Sequence, residues 1–501
     1  MQPIITVDVG TTSVRAGLFD AQAQLLHLAQ QDNLPHYFDD GRVEQDPLAC
    51  RAAVYAVLKA CADAARQRQL RPACVAMAAQ RSSLIAVDRQ GQALHPAIMW
   101  QDRRTAGLAQ QMAAHNSLVY GKTGLPISPV FSALKMHWLR QQLPDLWQRT
   151  HKLLGIQDWI VHGLTGAYLT DQSFASRTNL FNLQSRQWDA DLLDLFGVER
   201  HLLCDIVPPG SIVGGLLAPA AAALGLQAGL PLVSAGGDQQ CAALGLGLFT
   251  AQRAITNTGT GSYLIGHADR PLLDPAMGLA CNASALPGAY IVEAALLTSG
   301  AIYRWFQTTL GAQGEGFEAL NAEAAQVAPG CNGLLLLPHF KGAGAPDWDP
   351  QAKGVFFNLS LDSTRGHMAR AILEGIAFEM KANLERIESL CGPVSSLSVS
   401  GGLTRSDLFN QIQADVLERP VTRFARAEAT SAGAWMAGAV ATGNATGYAQ
   451  AFAQLSAHSA PLHYPSNPAH HAVYQRCRHQ SRALYQALAA PAFRAAFSEQ
   501  D

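Results

Sequence analysis

Apolar positions near the start of the chain fall into two blocks around a polar turn. Ile4 to Val9 is almost continuously apolar, Gly10-Thr11-Thr12 interrupts it, and Val14, Ala16 and Leu18 then alternate with other residues. This pattern predicts a β-hairpin. Asp46-Pro47 opens a helix running to about Leu70, with Ala53, Val54, Val57, Leu58 and Cys61 at helical spacing. Cys74–Ala79 and Ser83–Val87 read again as strands, followed by a polar turn over Asp88–Gln92. Strands alternating with helices in this way predict a layered α/β fold. Later in the chain, Val233-Ser234-Ala235 leads through two glycines into a helix that starts at Asp238. Ser398-Val399-Ser400 leads through Gly401-Gly402 into a helix from about Ser406 to Val416, and Gly366–Leu390 is a long amphipathic helix.

One local pattern occurs twice. Asp8-Val9-Gly10-Thr11-Thr12-Ser13 is echoed by Asn257-Thr258-Gly259-Thr260-Gly261-Ser262, each with an apolar strand entering and leaving a Gly-Thr turn. Two tight hairpins would give the same echo. A chain of 501 residues is, however, too long for one ordinary core, and two domains of about 250 residues are expected. Each copy of the pattern opens one of them. We therefore place the domains at 1–247 and 248–501, with the two Gly-Thr turns facing each other across a central cleft.

Composition narrows the setting. A formal net charge of −2 gives no general pull toward nucleic acid or an anionic membrane. The nine cysteines are dispersed without a CxxC pair, which points to reduced thiols in a cytoplasmic protein. No signal peptide is expected, because the first residues run straight into a strand. Ala-rich stretches such as Ala218–Leu226 are too short to span a bilayer.

The chemistry these motifs allow is that of phosphates. Glycine lets the backbone approach closely, the N–H groups of such a turn point at anionic oxygens, and threonine hydroxyls add donors. Asp8, two residues before the first turn, is placed to hold Mg²⁺, an ion that favours a carboxylate together with phosphates. The second turn carries Asn257 at that place, as a single shared metal would require. Asp238 near a helix start reads either as a cap or as a general base toward a substrate hydroxyl, and the two are compatible. Gly401-Gly402 before a helix reads as a nucleotide platform or as a tight strand–helix turn. Glu374 within its long helix reads as structural, and the Walker A pattern is absent.

With these residues in place, the chain resembles the FGGY carbohydrate kinases, a branch of the actin/hexokinase superfamily. The matching blocks are Asp8–Asp20, Gly41–Pro47, Trp100–Thr105, Leu164-Thr165-Gly166 with Thr170-Asp171, Gly236–Gln240, Thr258–Thr260, and Gly401-Gly402 with Gln413–Val416. They extend from Ile4 to about Gly443. The resemblance implies two ribonuclease-H-like domains and transfer of the γ-phosphate of ATP to a hydroxyl of a small sugar or polyol. By this resemblance Thr11, Thr12, Ser13 and Arg15 handle the nucleotide phosphates, and Asp8 the magnesium. Thr260 and Gly300 contact phosphate and nucleotide from the second domain, and Gly402 and Ser406 the adenosine. Arg81, Ser82, Trp100, Asp102, Asp238 and Gln239 line the substrate pocket, with Asp238 as base. Ser406 replaces the asparagine that glycerol kinases place there.

Within the family, Gly342–Pro350 and Trp100–Thr105 look most like glycerol kinases, but the pocket departs from them. Glycerol kinases carry a glutamate where Ser82 stands and a tyrosine where Val130 stands. The Met-His pair that xylulose kinases place near Ser82 is also absent. Loss of a carboxylate that accepts from substrate hydroxyls disfavours glycerol, so the expected substrate is another small polyol or a ketose. Glycerol kinase proper is one alternative. A non-catalytic sensor that binds nucleotide and sugar is another, although it would have no need of Asp238. The expected partner is that small molecule, with no nucleic acid or membrane, and a homodimer is compatible with the sequence.

Overall fold

The computed structural model describes residues 2–311, 316–424, 428–458 and 460–497. The remaining parts of the two expected domain spans, 498–501 among them, lie outside the described residues. Two twisted sheets organise the chain. The first comprises β1 (Ile4–Val9), β2 (Ser13–Phe19), β3 (Leu25–Asp32), β4 (Val75–Ala79), β5 (Ile212–Gly215) and β6 (Pro231–Gly237), in the order β5-β6-β4-β1-β2-β3. The second comprises β7 (Arg253–Thr258), β8 (Ser262–Ala268), β9 (Ala280–Ala283), β10 (Tyr290–Leu296), β11 (Ser396–Ser400), β12 (Val421–Arg423) and β13 (Leu462–Tyr464), in the order β9-β10-β8-β7-β11-β12-β13.

The echo seen in the sequence extends to strand pairing. β1 is antiparallel to β2 and parallel to β4, and β7 is antiparallel to β8 and parallel to β11. Parallel β1, β4 and β6 end side by side, with Val9 opposite Ala79 and Ala79 opposite Gly237. The turn at 10–13, residues 80–82 and Asp238 are therefore delivered to one edge of the sheet. In the second sheet the ends of β7 and β11 deliver 259–261 and 401–402. Ligand sites in open α/β sheets form at such carboxyl ends.

The central strands are buried on both faces, which explains their near-continuous apolar runs. Ile5, Val7 and Val9 pack with Val54, Val57, Leu58 and Cys61 of α1 (Pro47–Gln67), whose first turn is capped by Asp46. Ile4, Ala76, Ala78, Val233 and Ala235 face the other way and pack with α6 (Ala429–Ala441). The other helices used below are α2 (Asp238–Gly245), α3 (Gly300–Leu310), α4 (Arg365–Cys391) and α5 (Asp407–Leu417). The return of α6 from late in the chain onto the first sheet has no counterpart in the sequence reading. Nor does β13, which adds an antiparallel edge beside β12.

α2 and α6 cross in direct backbone contact. A Cβ at Gly433 would lie 1.9 Å from the carbonyl oxygen of Cys241, and one at Gly245 would lie 2.2 Å from that of Ala429. Replacing Gly433 by alanine should therefore force the helices apart and lower stability by roughly 1–3 kcal/mol, the scale of overpacking in a close-packed interior. Gly107→Ala is the control: it sits in a helix with open space around it, and should leave the unfolding midpoint unchanged or slightly raised. Urea denaturation of the two variants checks this.

Candidate active site

The first Gly-Thr turn is tight and braced from several elements. Gly10 donates its N–H to the carbonyl of Ser13, and a Cβ on Gly10 would meet that oxygen at 2.8 Å. The Thr11 hydroxyl donates to Gln80 Oε1 and accepts from the indole of Trp100 at 3.0 Å. Gln45 donates to the Thr11 carbonyl, and Asn33 spans the turn by donating its side-chain amide to the Gly10 carbonyl and its backbone N–H to the Thr12 carbonyl. Thr12 is exposed at the tip. Arg15, on β2 opposite Asp8, forms an ion pair at 3.2 Å with Glu428, at the start of α6.

Asp8 is half-buried, and its Oδ1, which is enclosed, has no hydrogen-bond partner. Burial pushes its carboxyl up to about 8, helped by the negative charges of Asp238 and Glu428 and opposed by Arg15. A carboxylate held in this way is short of a positive partner, and that is the setting a divalent cation suits. Among the described residues no group of three or more His, Cys, Asp or Glu side chains forms a metal cage. An ion at Asp8 would take its remaining ligands from phosphate and water, as Mg²⁺ commonly does.

The second turn is completed by the start of α3. Ser299 and Ala301 donate their N–H groups to the Thr260 carbonyl, and Gly300 donates to Gly259. A side chain at Gly300 would meet that Gly259 oxygen at 2.3 Å, so Thr260 and Gly300 are brought together by backbone contact. Gly401, at a φ of +98°, lies against Thr258, where a Cβ would sit 2.3 Å from the carbonyl oxygen. Gly402 faces open space. The Ser406 hydroxyl accepts from the N–H of Phe409 and caps α5.

Asp238 is the first residue of α2, and Gly237 before it is the cap. The strand end is set from below: the Ser173 hydroxyl accepts from Gly237 N–H and itself donates to Asp171. Asp238 Oδ1 accepts from Gln239 N–H at 2.7 Å and faces Arg81 Nε at 3.3 Å. Burial raises its carboxyl above the ordinary range, and the Arg81 guanidinium opposes the shift. The Gln239 side chain accepts from Asn257, the second-turn counterpart of Asp8.

Two of the expected pocket residues are engaged elsewhere. Asp102 accepts four hydrogen bonds, from Val43 N–H and from Arg104 through its N–H, Nε and Nη2. Ser82 is held at a φ of +66°, and its hydroxyl donates to the carbonyl of Arg177. The ammonium of buried Lys135 donates to the carbonyls of Ser82 and Val130, the two positions at which the pocket departs from glycerol kinases. Glu374 is structural, bonded to Arg370, Tyr474 and Gly330.

Sequence reading missed three residues of this region. Arg177 reaches Asn282 Oδ1 at 3.1 Å, and Glu293 on β10 lies 3.6 Å from Arg81 Nη1 and 3.7 Å from Arg177 Nη1. Glu293 is the one charged residue in an otherwise apolar strand, Tyr290–Leu296, and that anomaly was the available signal. A cavity of about 640 Å³ lined by Leu337, His339, Val355, Tyr485 and Phe493 includes none of these site residues.

The FGGY family of carbohydrate kinases matches the chain twice, its N-terminal domain over residues 3–245 and its C-terminal domain over 254–442. The chain belongs to this family. A glycerol kinase of Alkalilimnicola ehrlichii is 37% identical over 457 residues, covering 88% of this chain and 91% of its own. One of Thermus brockianus is 35% identical over 463 residues, covering 88% and 90%. Among solved structures, xylulose kinase from Rhodospirillum rubrum superposes with a TM-score of 0.90 at 27% identity, covering 97% of this chain and 99% of that one. Plasmodium falciparum glycerol kinase with ADP has a TM-score of 0.89 at 23% identity, covering 97% and 98%, a likeness of fold. The two-domain FGGY fold expected from the sequence is thus the fold observed. As an FGGY kinase the protein is a phosphotransferase with an alcohol acceptor, and the family implies use of ATP. Among the described residues no helix is long and apolar enough to cross a membrane.

Burial pushes the Lys135 amine down to about 7, with Asp102 partly offsetting it. Below pH 7 the folded state carries the full cost of a buried cation. From pH 7 to 10 it has shed the proton while the unfolded chain still holds it, so this group makes stability rise with pH. The stability difference between wild type and Lys135→Met should therefore grow in favour of wild type over that window. Denaturant titrations at pH 7, 8.5 and 10 measure it.

Proposed function

We propose that this FGGY kinase transfers the γ-phosphate of ATP to a hydroxyl of a small polyol or ketose, with Asp238 as general base. The observation that carries the reading is the position of Asp238: half-buried, at the shared edge of three parallel strands, on a helix start whose second residue, Gln239, bonds to Asn257 before the second Gly-Thr turn, and paired with Arg81. In this reading the division at 247/248 assigns acceptor and base to the first domain and most of the nucleotide to the second.

The acceptor lies against Arg81, Trp100 and Gln239, with Ser82 and Asp102 shaping the wall through their backbone and ion-pair contacts. Thr11, Thr12, Ser13 and Arg15 receive phosphate from one side and Thr260 and Gly300 from the other. Gly402, open on its outer face, and the Ser406 cap flank the adenosine. Asp8 would hold Mg²⁺, which when bound neutralises charge on the phosphates. Asp238 accepts the proton as the acceptor oxygen bonds to the γ-phosphorus and the bond to the β-phosphate oxygen breaks. Backbone N–H groups and hydroxyls of the turns stabilise the developing charge. Raising the carboxyl above its ordinary range makes Asp238 a stronger base than a solvated aspartate. Closure of the cleft would exclude water and limit idle ATP hydrolysis.

Glycerol itself is the second reading, favoured by the names of the relatives, glycerol kinases at 35–37% identity. ADP release, measured across glycerol, tetritols, pentitols, pentuloses and hexuloses, should be stimulated by one of them and thereby decide between the readings. Asp238→Asn should lower turnover with that compound by roughly 10²–10⁴-fold while leaving ATP affinity intact. Turnover retained in this variant would refute the base; ATP binding with no stimulation by any compound would favour a sensor.

A further inference from the structure

In glycerol kinases, by the resemblance noted above, a carboxylate next to the pocket arginine accepts from substrate hydroxyls. Here Ser82 stands in that place, and its own hydroxyl is spent on the Arg177 carbonyl. The first domain therefore offers Arg81 as a donor to the substrate but no neighbouring acceptor from position 82.

The second domain brings one. Glu293 points from β10 into the same region, and Asn282 on β9 and Tyr263 on β8 lie on the same face by strand register. Glu293 is 6% exposed. Its Oε2 lies 3.6 Å from Arg81 Nη1, beyond hydrogen-bond length, and neither atom has a hydrogen-bond partner. Arg177 Nε and Asn282 Nδ2, next to them, are also buried and unpaired. Leaving buried polar atoms unsatisfied is costly, more so for charged ones, so a cluster of them marks a place built for a further partner. One hydroxyl can complete the pair, since it accepts from Arg81 and donates to Glu293 at once. The same guanidinium faces Asp238 through Nε, so that hydroxyl lies next to the reacting one.

We propose that Glu293, together with Arg81, recognises a substrate hydroxyl other than the one phosphorylated, and supplies the carboxylate that Ser82 does not. This rests on the kinase reading above and deepens it: the acceptor carries at least two hydroxyls, one for Asp238 and one for the Arg81–Glu293 pair. It also removes the ground on which Ser82 disfavoured glycerol.

The test compares wild type with Glu293→Gln, which keeps the shape and removes the charge. Acceptors are glycerol, erythritol, xylitol and D-xylulose, and then the monodeoxy analogues of the best of them (propane-1,2-diol and propane-1,3-diol for glycerol). In wild type the analogue lacking the recognised hydroxyl should lose roughly 10- to 100-fold in kcat/KM, the scale of a hydrogen bond to a charged group. In Glu293→Gln the parent compound should fall by a similar factor, the extra penalty of that analogue should shrink to within about threefold, and KM for ATP should not change. Deoxy penalties that stay the same in the variant overturn the assignment even where activity drops, because a purely structural role lowers all acceptors alike. Glu293→Asp restores the charge and should recover part of the discrimination; it replaces the glutamine variant if that one does not fold. Calorimetric binding of the same compounds separates the two claims. Polyol binding without turnover refutes the kinase reading, and the deoxy comparison is then read from affinities; no polyol binding overturns the role of Glu293 as well.

Discussion

The crossing of α2 and α6 is the contact on which the rest of the site depends. α2 begins with Asp238, and α6 begins one residue after Glu428, the partner of Arg15. The two helices touch backbone to backbone because glycine stands at each point of contact, at Gly245 and Gly433. α6 belongs to the C-terminal half of the sequence yet packs on the first sheet, facing Ala76, Ala78 and Ala235, small residues that leave room for it. Asp238, the first Gly-Thr turn and the charge beside Asp8 are thus held in one packing unit. A shift of this crossing would move Asp238 and Glu428 together, and geometry at the level of an ångström decides phosphoryl transfer.

The electrostatics follow a second constraint, that charges at the strand ends are buried, as at Arg177 and Glu293, or half-buried, as at Asp8 and Asp238. Asp8, Asp238, Arg81, Arg177 and Glu293 share a region poor in water, and their neighbours compensate them only partly. The unliganded protein therefore carries a standing cost, which a metal at Asp8 and hydroxyls at the arginines would relieve. Binding energy of this kind is well suited to specificity, because a ligand lacking one of the required groups leaves the corresponding charge unsatisfied.

Much of this was legible in the sequence because it is local. The hairpins at Gly10 and Gly259, the helix after Asp46-Pro47 and the strand ends before Asp238 and Gly401 each follow from residues adjacent in the chain, and the observed spans differ from expectation by a few residues at most. What the sequence concealed is what arises between distant segments. Nothing near Ala429–Ala441 indicates that its small residues match the far face of the first sheet. Asp102 looked like a pocket acid because it sits in a matching block, yet its oxygens are consumed by Val43 and Arg104. Ser406 proved to be a helix cap, a role its position before an apolar helix also permits. Glu293 was visible only as a lone charge in an apolar strand, and its meaning depends on Arg81, more than two hundred residues earlier in the chain.

That long separation has a functional consequence. Arg81 and Asp238 come from the first sheet's edge, whereas Glu293, Asn282 and Tyr263 come from the second. In the proposed reading an acceptor lying between them would touch both domains, as would a nucleotide held between the two Gly-Thr turns. Both ligands then favour the same arrangement of the domains, and each pays part of the cost of reaching it for the other. Water fills both places only as two separate molecules, whereas a polyol brings both hydroxyls in one. In the proposed reading, a pocket whose hydrogen-bond acceptor comes from one domain and whose base comes from the other would therefore favour a polyol over solvent by the same contacts that assemble it.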